Sequence, residues 1–191
     1  KQHDIPHVHY AYWDPYSDKF DLVHLKQVDA MIHLAGAGIA DKRWTDKRKE
    51  EIVHSRVHTT RFLINKLREY APGCKTLIST SATGYYGPDR EGKSFFNENA
   101  PAYSDFLGET CMKWEAEAHK AEDFLRTVIF RFGIVMGKED GMFPQLARPA
   151  AMGVLPILGG GKQTISWIHA DDLCSMIIRA IEDKEIKGTY N

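Results

Sequence analysis

The chain has only three cysteines in 191 residues, Cys74, Cys111 and Cys174. Their odd number and wide spacing give neither a disulfide framework nor a CxxC metal pair, which favours a reducing compartment such as the cytoplasm. No apolar run approaches the ~18 residues that a membrane span needs, and no signal-peptide pattern opens the chain. Charge of one sign is also missing, because 25 basic residues stand against 26 acidic ones. That balance removes the electrostatic case for a nucleic acid or an anionic membrane as partner. The basic cluster Lys42, Arg43, Lys47, Arg48 and Lys49 is interleaved with Asp41, Asp46, Glu50 and Glu51, the pattern of a solvated helix face. The first 30 residues contain no glycine-rich turn, so no phosphate-cradling loop lies there.

What is present alternates between strand-like and helix-like segments. Residues 8–13 alternate and are rich in aromatics, which predicts a strand ended by Asp14 and Pro15. Residues 30–34 predict a buried parallel strand. From Asp46 to Tyr70, the residues Ile52, Val53, Val57, Phe62, Leu63 and Leu67 recur at near-helical spacing. Thr45 or Asp46 can cap that helix, and Pro72 and Gly73 lie beyond its end. A strand at 76–80, a polar loop at 91–105, a helix at 106–124 and a strand at 127–132 follow. The alternation predicts an α/β fold with a doubly wound parallel sheet. From Gly137 onward glycines punctuate shorter segments, before a strand-like stretch at 165–169 and a helix at 170–182. The expected division is a main domain over 1–136 and a smaller lobe over 137–191.

Three segments carry the candidate chemistry. The apolar run from Met31 stops at Leu34, Ala35 and Gly36, and small residues at a strand end leave room for a ligand to approach backbone. Residues 80–87 place Ser81 four positions before Tyr85, and residues 131–137 run from Arg131 through Ile134 to Gly137. Together these segments resemble the extended short-chain dehydrogenase/reductase superfamily, within the NAD-dependent epimerase/dehydratase family. The closest branch is the atypical, YfcH-like epimerase-family group, and the resemblance runs from about Tyr12 to Asn191. It implies an NAD(P)-binding Rossmann fold with a small substrate-side lobe and a cofactor that is NADP or NAD, NADP being slightly favoured. It implies a small-molecule substrate and admits a homodimer. It also implies that a βαβ unit of roughly 30 residues, carrying the glycine-rich turn, precedes Lys1.

By this resemblance Leu34, Ala35 and Gly36 lie beside the adenosine half of the cofactor. Glu51 and Arg56 match positions on the next helix that contact it, with Arg56 offering a planar fork and Glu51 accepting from a ribose hydroxyl or orienting Arg56. The plainer alternative is a surface charge pair. Arg131 and Ile134 belong to the segment that closes over the nicotinamide, although a buried strand and turn would look the same. Ser81 matches the catalytic Ser/Thr, and a serine at a strand end is also a common turn former. The usual Tyr-x-x-x-Lys fails here, because its positions fall near Leu107 and Cys111; Tyr85, Tyr86 and Tyr103 are the nearest phenols, and Tyr85 is the candidate. The run from Gly159 to Gln163 with residues 167–173 resembles the segment facing the nucleotide of a nucleotide-sugar. Asp171 and Asp172 equally suit a helix N-terminus, with His169 bonding in the same cap. The His54 and His58 pair lacks a third ligand, so no metal is expected. Two readings remain open: an NAD(P)-dependent oxidoreductase or epimerase, and a non-catalytic dinucleotide-binding module.

Overall fold

The computed structural model describes residues 5–88, 95–137, 142–154, 161 and 164–191. A short antiparallel hairpin, β1 (Trp13–Asp14) and β2 (Lys19–Phe20), opens the described chain. The strand expected at 8–13 is therefore displaced. Asp14 stays paired with Lys19 while its carboxylate accepts from the Tyr16 N–H and the Ser17 hydroxyl, so the turn comes after Asp14 rather than at it.

Strand β3 (Ala30–His33) leads into the long helix α1 (Asp46–Tyr70). Helix α1 starts where the sequence predicts. Thr45 is extended and its side chain accepts from the Arg48 N–H at 3.3 Å, satisfying one of the orphan donors of the first turn. Thr45→Ala is expected to lower stability by about 1 kcal/mol, measurable by urea unfolding. Ile52, Ser55, Thr59, Phe62, Leu63 and Leu67 form its buried stripe.

Strand β4 (Thr76–Ala82), helix α2 (Phe106–His119) and strand β5 (Arg126–Phe132) follow. Next come β6 (Ile134–Met136), α3 (Met142–Ala151) and β7 (Trp167–His169), with β6 and β7 paired in a separate two-stranded parallel sheet. The chain then returns through α4 (Ala170–Glu182) to β8 (Gly188–Tyr190). Strands β3, β4, β5 and β8 form one parallel sheet in the order β3-β4-β5-β8. The pleat sends Leu77 to one face, against Leu63, Ile64 and Leu67 of α1 with Ala121 and Leu125. It sends its neighbour Ile78 to the other, against Val128, Phe130 and the α4 residues Ile177 and Ala180. Both faces are thus covered by helices, as a doubly wound sheet requires.

Several boundaries differ from expectation. Among the described residues β3 pairs only with β4, so it is an edge rather than a buried strand, and Leu34 is 56% exposed. Helix α2 ends at His119, and the segment after it turns tightly while Ala121 and Leu125 pack into the core. Helix α3 was not readable, because Pro149 lies inside it and Gly141 and Gly153 flank it. Arg126 locks the return of the chain, donating to the carbonyls of Ala180 at 2.8 Å and Ile186 at 2.6 Å. Gly159, Gly160, Lys162 and Gln163, expected to face a nucleotide, lie outside the described residues.

Candidate functional site

Parallel pairing fixes the first half of the site. Ser81 and Arg131 are register partners near the carboxyl ends of β4 and β5, on the face that α2 covers. Glu115 enters from α2 between them. The Ser81 hydroxyl donates to Glu115 Oε1 at 2.5 Å. Arg131 donates to the same carboxylate through Nε at 2.9 Å and Nη2 at 2.8 Å. All three residues are at most 5% exposed, so this is a buried, bidentate ion pair. Burial works against the Arg131 charge, but its bonds to Glu115 and Tyr86 outweigh that and hold its pKa above the ordinary value.

Arg131 Nη1 also donates to the Tyr86 hydroxyl at 2.7 Å, which in turn donates to Asn191 Oδ1 at 2.6 Å. The guanidinium carbon sits 3.6 Å from the centroid of the half-buried Tyr85 ring. Arg131 is therefore committed to protein partners and supports the site from below. The one hydroxyl proton of Ser81 is donated to Glu115, which leaves the serine only lone pairs to offer a further partner.

The second half lies over the start of α1. The Ala37 N–H donates to Ser55 Oγ at 3.0 Å, and Arg56 Nη1 donates to the Ala37 carbonyl at 3.0 Å. Arg48 donates to the Gly38 carbonyl, which pins the same loop from another point. Glu51 does not orient Arg56 as expected. It pairs with Arg48 at 2.7 Å, one turn earlier on its own face of the helix, whereas a residue five positions on points elsewhere. Arg48 is also what holds the exposed Glu51 carboxyl below its usual range.

Helix α2 joins the two halves. The Trp114 ring lies 5.3 Å from the Arg56 guanidinium carbon. Cys111 is buried near Ser81, and burial pushes its thiol up, as befits a packing residue. Beneath, the Trp114 N–H donates to Thr60 Oγ1 at 3.0 Å, and Thr60 Oγ1 lies 3.0 Å from His33 Nε2. Thr60 Oγ1 thus bridges the indole and the imidazole, tying α1 and α2 to the end of β3. Burial pushes the His33 pKa down to about 4, so the ring is neutral at pH 7.

The remaining expected residues lie apart. Leu34 and Ala35 line a cavity of about 270 Å³ with Trp13, Phe20, Met31 and Leu63, on the side of β3 away from Ser81. Ile134 opens β6, and its N–H donates to the Ser166 carbonyl at 2.8 Å. His54 and His58 stack on each other and on Tyr16, and His58 Nε2 lies 2.8 Å from the Pro15 carbonyl. Among the described residues no group of three ligating side chains converges. His169 accepts from the Asp171 N–H, the cap expected for α4. Glu115 was not anticipated. The available signal was Glu115 beside Trp114 in α2 and Arg131 among the apolar residues near the end of β5, opposite charges with no local partner.

Residues 1–191 match the NAD dependent epimerase/dehydratase family over their whole length. The chain belongs to this family. It is 38% identical over 168 residues to the epimerase family protein YfhF of Bacillus subtilis, an alignment covering 87% of this chain and 54% of that protein. It therefore spans about half the length of the curated relatives it matches. Among solved structures, the human epimerase family protein SDR39U1 (isoform 2) with NADPH superposes with a TM-score of 0.79 at 29% identity, covering 85% of this chain and 55% of that one. A nucleoside-diphosphate sugar epimerase from Corynebacterium glutamicum superposes with a TM-score of 0.77 at 35% identity, over 94% of this chain and 37% of that one. No helix among the described residues is long and apolar enough to cross a membrane.

Proposed function

We propose that this family member binds a nicotinamide dinucleotide across the carboxyl ends of β3, β4 and β5. In this reading it acts as an NAD(P)-dependent oxidoreductase or epimerase on a small or sugar-nucleotide-like substrate. The carrying observation is the buried Ser81–Glu115–Arg131 cluster under the Tyr85 ring, a costly arrangement of charge at the end of a sheet where ligands of open α/β folds bind. The relative solved with NADPH supports the choice of cofactor.

The residues present fit a dinucleotide. Gly36 leaves backbone exposed, and a side-chain carbon there would come within 3.2 Å of the Arg56 guanidinium. Gly36 and Arg56 would hold the cofactor from the α1 side. A bound nicotinamide ring supplies the hydride donor or acceptor. Ser81, its proton held by Glu115, accepts a hydrogen bond from a substrate hydroxyl. Tyr85, whose ring packs on Arg131, is the candidate phenol for proton exchange, since Leu107 and Cys111 occupy the positions of the usual tyrosine and lysine. Arg131 keeps the Tyr85 ring in place.

Titration with NADPH and with NADH, followed by nucleotide fluorescence, tests the reading. Saturable binding is expected, and no binding of either at millimolar concentration removes it. The second reading, a binding module without turnover, is favoured by the aliphatic Leu107 and the buried Cys111 thiol. Binding of NADPH without its oxidation across a panel of keto-sugar nucleotides would select it.

A further inference from the structure

The segment from Phe95 to Asn99 lies over the end of the sheet with little of its own buried. Phe95 is 93% exposed, and Asn97, Glu98 and Asn99 are exposed as well. Neither apolar core includes a residue from it. What it covers is sealed, since Tyr86, Glu115 and Arg131 are each at most 5% exposed. The contacts that fix the segment gather around Arg131, Tyr86 and Asn191. The Glu98 carbonyl accepts from Arg131 Nη1 at 3.1 Å. The Asn191 side-chain amide donates to the Phe96 carbonyl at 3.1 Å, and the Asn191 backbone N–H donates to Glu98 Oε1 at 3.1 Å. Asn191 Oδ1 accepts from the Tyr86 hydroxyl, and the Tyr86 ring stacks on Phe96 with centroids 5.1 Å apart.

Asn191 directly follows β8, whose Tyr190 pairs with Phe130, one residue before Arg131 in β5. It therefore stands on the rigid sheet and reaches outward to a segment that has no core of its own. Segments with little buried apolar surface and exposed hydrogen bonds open locally at a free energy well below that of global unfolding. Opening here leaves both cores intact, because it breaks polar contacts and a ring stack. It uncovers the Nη1 edge of Arg131, while the bidentate bond to Glu115 keeps the guanidinium in place. We infer that residues 96–98 form a strap that lifts off the Glu115–Arg131 pair, and that Asn191 is its latch. Closed, the strap keeps water from the pair. Open, it clears the edge of the site beside Tyr85, whose ring lies on Arg131. Its part in admitting a substrate rests on the function proposed above; the motion itself does not.

Limited proteolysis with chymotrypsin reads the latch, because cleavage after Phe95 or Phe96 follows the population of the open strap. Asn191→Ala removes two side-chain hydrogen bonds, and Asn191→Asp keeps the oxygen facing Tyr86 but loses the donor to Phe96. Cleavage at these two sites is expected to be about ten- to thirtyfold faster in Asn191→Ala than in wild type, with the melting temperature little changed. Equal rates overturn the inference. So does a rise at every chymotryptic site in step with a lowered melting temperature. Labelling of Arg131 by phenylglyoxal, located by peptide mass, reads the uncovering and should be about tenfold faster in Asn191→Ala. Faster cleavage without faster labelling means that the segment moves without exposing the pair, and the lid is then wrong. If Asn191→Ala does not fold, Asn191→Asp carries both measurements, with effects of the same sign. Both are made without nucleotide, so a failure to bind NADPH or NADH removes the dinucleotide reading and leaves the strap to stand or fall on its own.

Discussion

Glu115→Ala is expected to destabilise the protein by about 3–5 kcal/mol, the usual effect of removing one member of a buried ion pair. The Arg131 guanidinium would stay in place, 4% exposed and still bonded to Tyr86, but without its bidentate partner. Ser81 would also lose its acceptor. The loss comes mainly from the stranded charge, so deleting both charges should be milder than deleting one. Glu115→Ala, Arg131→Met and the double variant, compared by urea unfolding, form the cycle that separates these terms. The double variant should be more stable than the sum of the singles predicts. A loss under about 1 kcal/mol for Glu115→Ala would fall in the range of surface pairs and would sink the claim that the pair is buried and coupled.

Acid should weaken the fold through His33 before the carboxylates respond. In the folded protein its pKa is pushed down to about 4, against 6.5 for the free side chain. Between those values the unfolded chain binds the proton and the folded one does not, so stability falls as pH drops from about 6.5 toward 4. The contribution is complete above the unfolded value and gone below the folded one; it amounts to about 3 kcal/mol. The groups Asp14, Glu51, Glu98, Glu117 and Asp183 have lowered pKa values, and their contribution disappears at more acidic pH still. Unfolding free energies from pH 7 to pH 5 should slope steeply for wild type and clearly less for His33→Asn. Parallel slopes would remove His33 as the cause.

The parts of the fold that were legible in the sequence are those with local signals. Helix α1 begins after Thr45 and stops before Pro72 and Gly73, and α4 starts directly after the His169 cap; each signal acts within a turn of the residue it controls. Strand ends were legible only approximately, because β4 runs on to Ala82 by pairing with Phe132, a partner distant in sequence. Helix α3 contradicts its own composition, and tertiary context overrides Pro149. Within the site, Ser81 was visible as a polar residue closing an apolar strand. Its connection to Glu115 spans 34 positions, and that of Glu115 to Arg131 spans 16, so no window of sequence contains either bond. Glu51 shows the opposite failure: it lies on the same helix as Arg56, but helical geometry gave it to Arg48.

Because Ser81 and Arg131 are cross-strand partners meeting one carboxylate, the proposed site is indexed to the pleat of the sheet. Point substitutions nearby can drift freely so long as they respect volume. A single inserted or deleted residue within β4 or β5 cannot be absorbed in the same way. It would turn Ser81 or Arg131 toward α4 and bring an apolar neighbour to face Glu115. Length variation among descendants of this sequence is therefore expected in the connections, above all between Gly87 and Asp105, with the two central strands conserved in length even where their residues diverge.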